Sequence, residues 1–239
     1  MALFHRNILG VIPARGGSKS IPGKNLKKIN GISLVGHAAM FAKSLKWLDA
    51  IILSTDSKEI ADEGRRYGLN VPFMRPPELS TDDATSIDMW KHAWIESESY
   101  YGLKFDISIL LQPTSPMRVV EDVERTINLL IKEDAPAAIT VSKTPAHYTP
   151  HKTLTVSNLG VIGFYLGEKE GSQYYIRQAI PVYYHLNGVC YAVTRNHLLD
   201  CGKIIGNGAK AVIIDRPIIN IDEPFELEIA NWLMSRIKH

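Results

Sequence analysis

The segment that follows the first apolar run carries residue types suited to binding a polyphosphate. The glycine pair at 16–17 lets backbone N–H groups approach a phosphate closely, and Ser18 adds a hydroxyl donor. Arg15, Lys19 and Lys24 add positive charge along the same stretch. A polyphosphate needs several fixed donors of this kind because its charge is spread over many oxygens.

Two common phosphate-binding motifs do not describe this segment. Its order is Gly-Ser-Lys-Ser, whereas a Walker A loop ends in Gly-Lys-Ser/Thr. It also lacks the GxGxxG spacing of a dinucleotide-binding loop. A solvated glycine turn with surface lysines is the alternative interpretation.

The composition is that of an ordinary globular protein. The chain has 239 residues, of which 45% are hydrophobic and 22% charged, and its length favours one large α/β domain over residues 1–239. A formal net charge of +2 does not predict nucleic-acid binding. We expect no membrane span and no signal peptide. Cys190 and Cys201 have no metal-ligand spacing, which favours reduced thiols and a cytoplasmic location.

The first half of the chain alternates short apolar runs with longer amphipathic ones. This alternation predicts a doubly wound, mostly parallel sheet covered by helices, with ligands bound beyond the carboxyl ends of the strands. The predicted strands are 7–13, 50–54, 71–74, 107–111 and 137–141, and the predicted helices are 33–46, 57–67, 86–98 and 119–133.

The pattern changes at about residue 142. Residues 142–187 are rich in glycine, proline and tyrosine, and predict an inserted lobe of loops and hairpins. Its aromatic side chains suit a dimerisation contact or a sugar lid, and ordinary strands over the core are the alternative. Strands at 189–193 and 211–215 and a helix after Pro224 follow.

Five segments, in order along the chain, resemble the acylneuraminate cytidylyltransferases. They are Ile12–Asn25, Arg75–Leu79 with Asp82, Thr85 and Ser86, Leu111–Arg118, Arg177–Pro181 with Asn187–Tyr191, and Ile221–Pro224. The resemblance implies a Rossmann-like nucleotidyltransferase fold. It also implies transfer of CMP from CTP to the anomeric hydroxyl of a sialic- or legionaminic-type nine-carbon keto acid, with release of pyrophosphate.

The resemblance also assigns site residues. It implies catalytic roles for Arg15, Lys24 and Asp222. For Arg15 and Lys24 the reason is that cations preset around the α-phosphate stabilise the charge that develops there. The CTP-binding residues that it implies are Arg15, Ser18, Lys24, Asn25, Arg75, Ser86 and Gln112. A surface arginine before a Pro-Pro turn and a loop-shaping glutamine are the alternatives for Arg75 and Gln112.

The sugar side of the site follows from the same resemblance. The implied sugar-binding residues are Gln112, Lys152, Arg177, Asn187 and Tyr191. Arg177, and more weakly Lys152, would meet the sugar carboxylate. Asn187 and Tyr191 have sheet packing as their alternative role.

The resemblance of the C-terminal motif implies a divalent cation, Mg²⁺ or another, bound to Asp222. Asp222 is also a candidate N-cap for the final helix. The family usually has an aspartate where this chain has Asn220. The Asn220 side chain could still offer a carbonyl oxygen to the metal, although without charge. His185 replaces an arginine that is frequent in sialic-acid-specific relatives, so a legionaminic-type sugar is expected as readily as N-acetylneuraminate.

These assignments imply CTP and an acidic nine-carbon sugar as partners, and a homodimer as the assembly. The nearest alternative is a ketodeoxyoctonate cytidylyltransferase, which performs the same reaction on a smaller sugar. An alternative of another class is a non-catalytic nucleotide-sugar-binding protein that lost its metal site through Asn220.

Overall fold

The computed structural model describes residues 6–171 and 180–236. The strands are β1 (Ile8–Pro13), β2 (Lys28–Ile29), β3 (Ile32–Ser33), β4 (Ala50–Ser54), β5 (Ile107–Leu110), β6 (Ala137–Lys143), β7 (Leu154–Val156), β8 (Ile162–Phe164), β9 (Tyr184–Thr194) and β10 (Lys210–Ile213). The α-helices are α1 (Leu34–Ser44), α2 (Lys58–Arg66), α3 (Ser86–Tyr101), α4 (Val120–Lys132), α5 (Glu168–Gly171) and α6 (Pro224–Met234).

The central sheet has six strands in the order β10-β6-β9-β5-β1-β4. Strand β1 pairs in parallel with both β4 and β5, whereas β9 runs antiparallel to β5. The α/β class expected from the sequence is therefore confirmed, with an antiparallel strand inside the sheet. The carboxyl ends of β1, β4 and β5 meet at one edge, where the predicted ligand-binding loops begin.

The core explains why the apolar runs become strands. Residues 8–12 of β1 are buried, as expected for a strand with parallel neighbours on both sides. Helix α3 packs Trp90 and Trp94 against the sheet, and both are fully buried with Phe105. Helix α1 begins at the predicted N-cap, because the Ser33 side chain accepts a hydrogen bond from Gly36 N.

Two local predictions are wrong. No strand forms over 71–74, and the preceding residue, Asn70, makes only an isolated bridge with Ile52. Pro72 has no N–H to donate, and Phe73 packs against the core instead. The N-cap of α6 is Glu223 and not Asp222, because Glu223 forms a capping box with Glu226.

The chain divides into two compact units. One comprises residues 1–140, 187–212 and 216–239, and the other residues 141–186 and 213–215. In the second unit, β7 and β8 form an antiparallel hairpin, and Tyr183 Oη lies 3.1 Å from His151 Nδ1. In the described parts of the chain, none of the helices has the length and apolar character needed to cross a membrane.

Candidate active site

The phosphate loop, residues 14–25, leaves the sheet at the carboxyl end of β1. Its first residue, Ala14, donates from its backbone to Ser54 O at the end of β4. Gly16 N donates to Asp56 Oδ1 at 2.8 Å, and the Asn25 amide donates to Arg15 O at 2.9 Å. Asn25 is buried. This residue, which the sequence predicts to bind CTP, therefore also joins the two ends of the loop through its hydrogen bond to Arg15.

Nothing in the protein itself requires a glycine at position 17. A Cβ atom added there would meet nothing within 4 Å, and its φ is not in the left-handed region. Gly23 differs, because its φ of 64° favours glycine on backbone grounds alone. The space beside Gly17 is therefore available to a ligand group that approaches the backbone.

Two cations of the loop, the half-buried Arg15 and the exposed Lys19, converge on one carboxylate. Asp82 contacts Arg15 at 3.1 Å and Lys19 at 2.6 Å, and Arg15 also donates to Thr81 O at 3.0 Å. The hydrogen bond from Lys19 holds the pKa of the Asp82 carboxyl below its usual range. Carboxylate oxygens of Asp82 therefore lie between Arg15 and Lys19 in this structure.

Arg75 is buried beneath the edge of the sheet, which contradicts a surface role. Its Nε donates to Ser54 Oγ at 3.1 Å and its Nη2 donates to Ser54 O. Burial lowers the pKa of Arg75 to about 10, although Asp56 opposes that shift. The guanidinium therefore stays charged at neutral pH. Ser86 lies exposed in the first turn of α3, whose N-cap is Thr85.

Lys24 joins the phosphate loop to the C-terminal motif. Its Nζ donates to Asp222 Oδ1 at 2.9 Å and to Ile221 O at 3.0 Å. Only 14% of the Lys24 side chain is exposed, whereas the Asp222 side chain is 63% exposed. The predicted catalytic residues Lys24 and Asp222 are therefore in direct contact, and the carboxylate faces solvent.

Asp222 is the residue that fits the predicted metal. Within the described ranges, no group of three or more His, Cys, Asp or Glu side chains is placed to hold an ion. Mg²⁺ commonly takes one or two carboxylates and completes its shell with substrate phosphates and water. The exposed Asp222 carboxylate beside the phosphate loop fits an ion of that kind, bound together with a nucleotide.

Asn220 contacts Asp222 through its amide nitrogen. Asn220 Nδ2 donates to Asp222 Oδ2 at 2.8 Å, and Asn220 Oδ1 accepts from Ser115 Oγ at 3.2 Å. The carbonyl oxygen that could have met a metal thus lies against Ser115. In this structure Asn220 orients the Asp222 carboxylate.

Gln112 follows β5 at the same edge and lies next to Gly188 of β9. Gly188 has a φ of +72°, and a Cβ there would lie 2.8 Å from Gln112 Oε1 and 2.5 Å from Ser115 Oγ. Ser115 Oγ also donates to Asn187 O at 3.0 Å. The absence of a side chain at 188 is what lets these polar groups gather.

The remaining sugar-side predictions have different outcomes. Asn187 is buried, and its Oδ1 accepts from Thr140 Oγ1 at 2.7 Å and from Val189 N at 3.2 Å. Burial raises the pKa of Tyr191, and the charges of Cys190 and Asp222 add to the shift. Lys152 lies in the second unit, on a short 3-10 helix at Pro150–Lys152. Arg177 lies outside the described residues.

Comparisons with known proteins decide the family. A sequence model described as cytidylyltransferase matches residues 9–182. The chain belongs to the cytidylyltransferase family. It is therefore a CTP-dependent nucleotidyltransferase, and the predicted enzyme class and family are confirmed.

The named relatives extend over nearly the whole chain. Post-translational flagellin modification protein B of Campylobacter coli is 30% identical over 228 residues, covering 95% of this chain and 94% of that protein. CMP-N,N'-diacetyllegionaminic acid synthase of Legionella pneumophila is 30% identical over 238 residues, covering 95% and 96% respectively. CMP:2-keto-3-deoxy-manno-octonic acid synthetase, solved with CTP, has a TM-score of 0.70 at 20% identity, covering 96% of this chain and 99% of that one.

The tertiary structure brings to this candidate site four residues to which the sequence assigned no role. They are Asp56 under the loop, Asp82 above it, Ser115 beside Gly188, and the buried Arg118. Asp56 and Asp82 could have been found, because Asp56 comes directly after a predicted strand and Asp82 lies in a motif. Arg118 also lies in a motif, the segment Leu111–Arg118, but nothing local shows that this arginine is buried.

Proposed function

We propose that this cytidylyltransferase transfers CMP from CTP to the anomeric hydroxyl of a nine-carbon acidic keto sugar of the legionaminic or sialic type. The observation that carries the proposal is the 30% identity, over 95% of the chain, with a protein named CMP-N,N'-diacetyllegionaminic acid synthase. The cation-rich loop with its open backbone at Gly17 supports the nucleotide half of the reaction.

The reaction is a displacement at the α-phosphorus of CTP. The anomeric oxygen forms a bond to that phosphorus, the bond from the phosphorus to the β-phosphate oxygen breaks, and the hydroxyl proton leaves to solvent. Negative charge develops on the α-phosphate oxygens and on the departing pyrophosphate. Arg15 and Lys24 are cations of the phosphate loop held by backbone carbonyls, so they would stabilise that charge without reorganising during the reaction.

Magnesium is part of the proposal, with Asp222 as the residue that would hold it. When bound, a divalent ion neutralises phosphate charge and lowers the pKa of a coordinated hydroxyl. Among the described residues no group of three or more His, Cys, Asp or Glu side chains is placed to hold an ion. An ion on the exposed Asp222 carboxylate should therefore arrive mainly with CTP. Calorimetry with Mg²⁺ should show weak binding without CTP, and Asn220→Asp should tighten it. Tight binding to the nucleotide-free wild type, or an active Asp222→Asn enzyme, would show that the motif has another role.

Gln112 and Tyr191 at the sheet edge would meet the sugar. Lys152 and, outside the described residues, Arg177 stay the sequence predictions for its carboxylate. Gln112 is half-buried and close to Gly188, which suits an amide that contacts both substrates. Asn187 is better suited to shaping the end of β9 than to touching a sugar, because Thr140 and Val189 already occupy its amide oxygen.

The test is pyrophosphate release from CTP and Mg²⁺ with a panel of acceptors. N,N'-diacetyllegionaminic acid, N-acetylneuraminic acid and ketodeoxyoctonate should be compared at equal concentration, with UTP and ATP as alternative nucleotides. Turnover that requires CTP and favours a nine-carbon acid supports the proposal. Preference for ketodeoxyoctonate would mean that the acceptor is the shorter sugar. Nucleotide binding without turnover would favour a non-catalytic binding protein.

A homodimer and a cytoplasmic location complete the proposal. In the second unit, the β7–β8 hairpin exposes apolar side chains, including Val156 at 67% and Ile162 at 64%. A second copy could cover such a surface. The free thiols of Cys190 and Cys201 suit a reducing compartment. A monomer in sedimentation at micromolar concentration would contradict the dimer.

A further inference from the structure

Arg118 lies buried just beyond the Gln112 turn, with only 6% of its surface exposed. Its Nη2 donates to Gln112 O and makes a longer contact of 3.5 Å with Gly188 O. Its Nε donates to Val189 O at 3.1 Å. The guanidinium also lies over the Phe41 ring, 5.4 Å from its centroid.

This environment is unusual for a buried cation. Burial lowers the pKa of Arg118 to about 10, with Cys190 opposing the shift, so the group remains charged at neutral pH. Between residues 6–171 and 180–236, none of the ion pairs includes Arg118. Buried charged side chains ordinarily pair with an opposite charge, as the buried Asp122 does here with Arg216. Backbone carbonyls take that role for Arg118.

The carbonyls that Arg118 contacts belong to the candidate site. Gln112 lies two residues beyond β5, and Gly188 and Val189 belong to the neighbouring strand β9. The Gln112 side chain lies over the open side of Gly188, close to Ser115 and Asn220. A guanidinium that binds both backbones therefore fixes the distance between the Gln112 turn and β9.

We propose that Arg118 is a positioning residue, which clamps the Gln112 turn to β9 and so aims the Gln112 amide at the bound substrates. This inference depends on the proposed role of Gln112 in the transfer reaction. Arg118 does not touch the reacting atoms. It acts through the backbone of Gln112, which also accepts from Ser115 N at 3.1 Å.

Arginine suits this position better than lysine for a geometric reason. The guanidinium has five N–H donors in a planar fork and can bind separate carbonyls while its face rests on an aromatic ring. An ammonium carries the same charge but lacks the fork and the flat face. Arg118→Lys therefore keeps the charge and loses the clamp.

The decisive experiment is a double-mutant cycle between Arg118→Lys and Gln112→Ala, measured as kcat/KM for pyrophosphate release. Arg118→Lys alone should lose about tenfold or more, the size expected for a contact that positions a substrate-binding group. In the Gln112→Ala background the same change should cost less than about twofold. Equal losses in both backgrounds, or wild-type kinetics for Arg118→Lys, would overturn the proposal.

Arg195→Lys is the matched control. Arg195 makes hydrogen bonds through Nε and Nη2 to Glu98 near the other end of β5. Its replacement should lower the melting temperature without changing kcat/KM, and any effect should be the same with or without Gln112. A merely structural Arg118 would behave in the same way.

A second variant keeps the proposal falsifiable if Arg118→Lys does not fold. Phe41→Leu removes the ring under the guanidinium and leaves its hydrogen-bond partners in place. It should show a smaller loss that also disappears in the Gln112→Ala background, and a loss that persists there would overturn the proposal.

Failure of the proposed function is distinguishable from failure of this inference. If the wild type gives no turnover with any acceptor, the proposed function fails, and the cycle is measured as CTP affinity by calorimetry. Non-additive CTP affinities would support the clamp, and additive ones would overturn it. If the wild type turns over normally and the cycle is additive, only the role of Arg118 fails.

Discussion

At the amino end of β5 a buried carboxylate is surrounded by donors, whereas at its carboxyl end a buried cation is surrounded by carbonyls. Glu98 accepts from Trp94 Nε1 at 3.1 Å and from Lys104 Nζ at 2.7 Å, and Arg195 contacts both of its oxygens. Arg118 contacts the backbone carbonyls of Gln112 and Val189.

The pKa shifts show what this difference means. Burial would raise the pKa of Glu98, but hydrogen bonds from Arg195 and Lys104 lower it to about 2. Glu98 in turn raises the pKa of Arg195. At the site end, burial lowers the pKa of both Arg75 and Arg118 to about 10. Charge at the amino end is neutralised within the protein.

The two ends of β5 differ in whether their buried charges are paired with an opposite charge. The cluster at the amino end is complete, and another ion could not enter it without breaking an existing pair. Arg75 and Arg118 have carbonyl or hydroxyl partners and no ion pair among the described residues, so no carboxylate neutralises their positive charge at contact distance.

Removing a cation at each end should have opposite consequences. We expect Lys24→Ala to lose about 10²–10³ in kcat, or about 2–4 kcal/mol of transition-state stabilisation, with the fold retained. Lys104→Ala is the control, because Lys104 pairs with Glu98 and is 78% exposed. It should leave kcat unchanged and cost less than about 1 kcal/mol of stability. Steady-state kinetics and urea unfolding measure both, and a Lys24→Ala enzyme with wild-type turnover would remove the loop from the mechanism.

Neutralising Glu98 should affect stability and not catalysis. The folded pKa of about 2 lies below the ordinary value of 4.5, so the carboxylate stabilises the fold above pH 4.5 and loses that effect as the pH falls toward 2. Glu98→Gln should therefore cost on the order of 3 kcal/mol at neutral pH. Urea unfolding of both proteins at several pH values tests this, and a difference that does not shrink in acid would contradict it.

Adding a methyl group at Gly17 should separate an effect on stability from an effect on CTP binding. The added Cβ has open space, so Gly17→Ala should melt at or slightly above the wild-type temperature. If phosphate oxygens approach this backbone, the methyl group should raise the KM for CTP by about tenfold, the effect of losing one charge-assisted contact. An unchanged KM would place the triphosphate elsewhere.

The smallest effect is expected at Asp82. Because this carboxylate pairs with Arg15 and Lys19 in the nucleotide-free protein, CTP must displace it. Asp82→Asn should lower the KM for CTP by about two- to fourfold, since exposed ion pairs are weak. The gain should diminish at high salt, because salt screens the same pairs. A raised KM would mean that Asp82 contributes to CTP binding.

Much of this protein could be predicted from local sequence. The alternation of apolar and amphipathic runs gave the α/β class, the serine at 33 capped α1 as expected, and the cation-rich loop after β1 lies at the sheet edge. These features depend on residues close together in the chain, where periodicity, capping and turn chemistry act. Two such predictions were wrong. Residues 71–74, which include Pro72, form no strand, and Glu223 caps α6 in place of its neighbour Asp222.

The arrangement of the site was decided by tertiary structure. Lys24 and Asp222 are 198 residues apart in sequence and share a hydrogen bond, and Tyr191 lies opposite Leu110 because β9 runs antiparallel to β5. Arg118 is buried because β9 brings its carbonyls to the Gln112 turn. Strand order and direction are set by how the whole core packs, and no local pattern encodes which strands become neighbours. Sequence therefore supplied the chemical groups, and the sheet decided which of them meet.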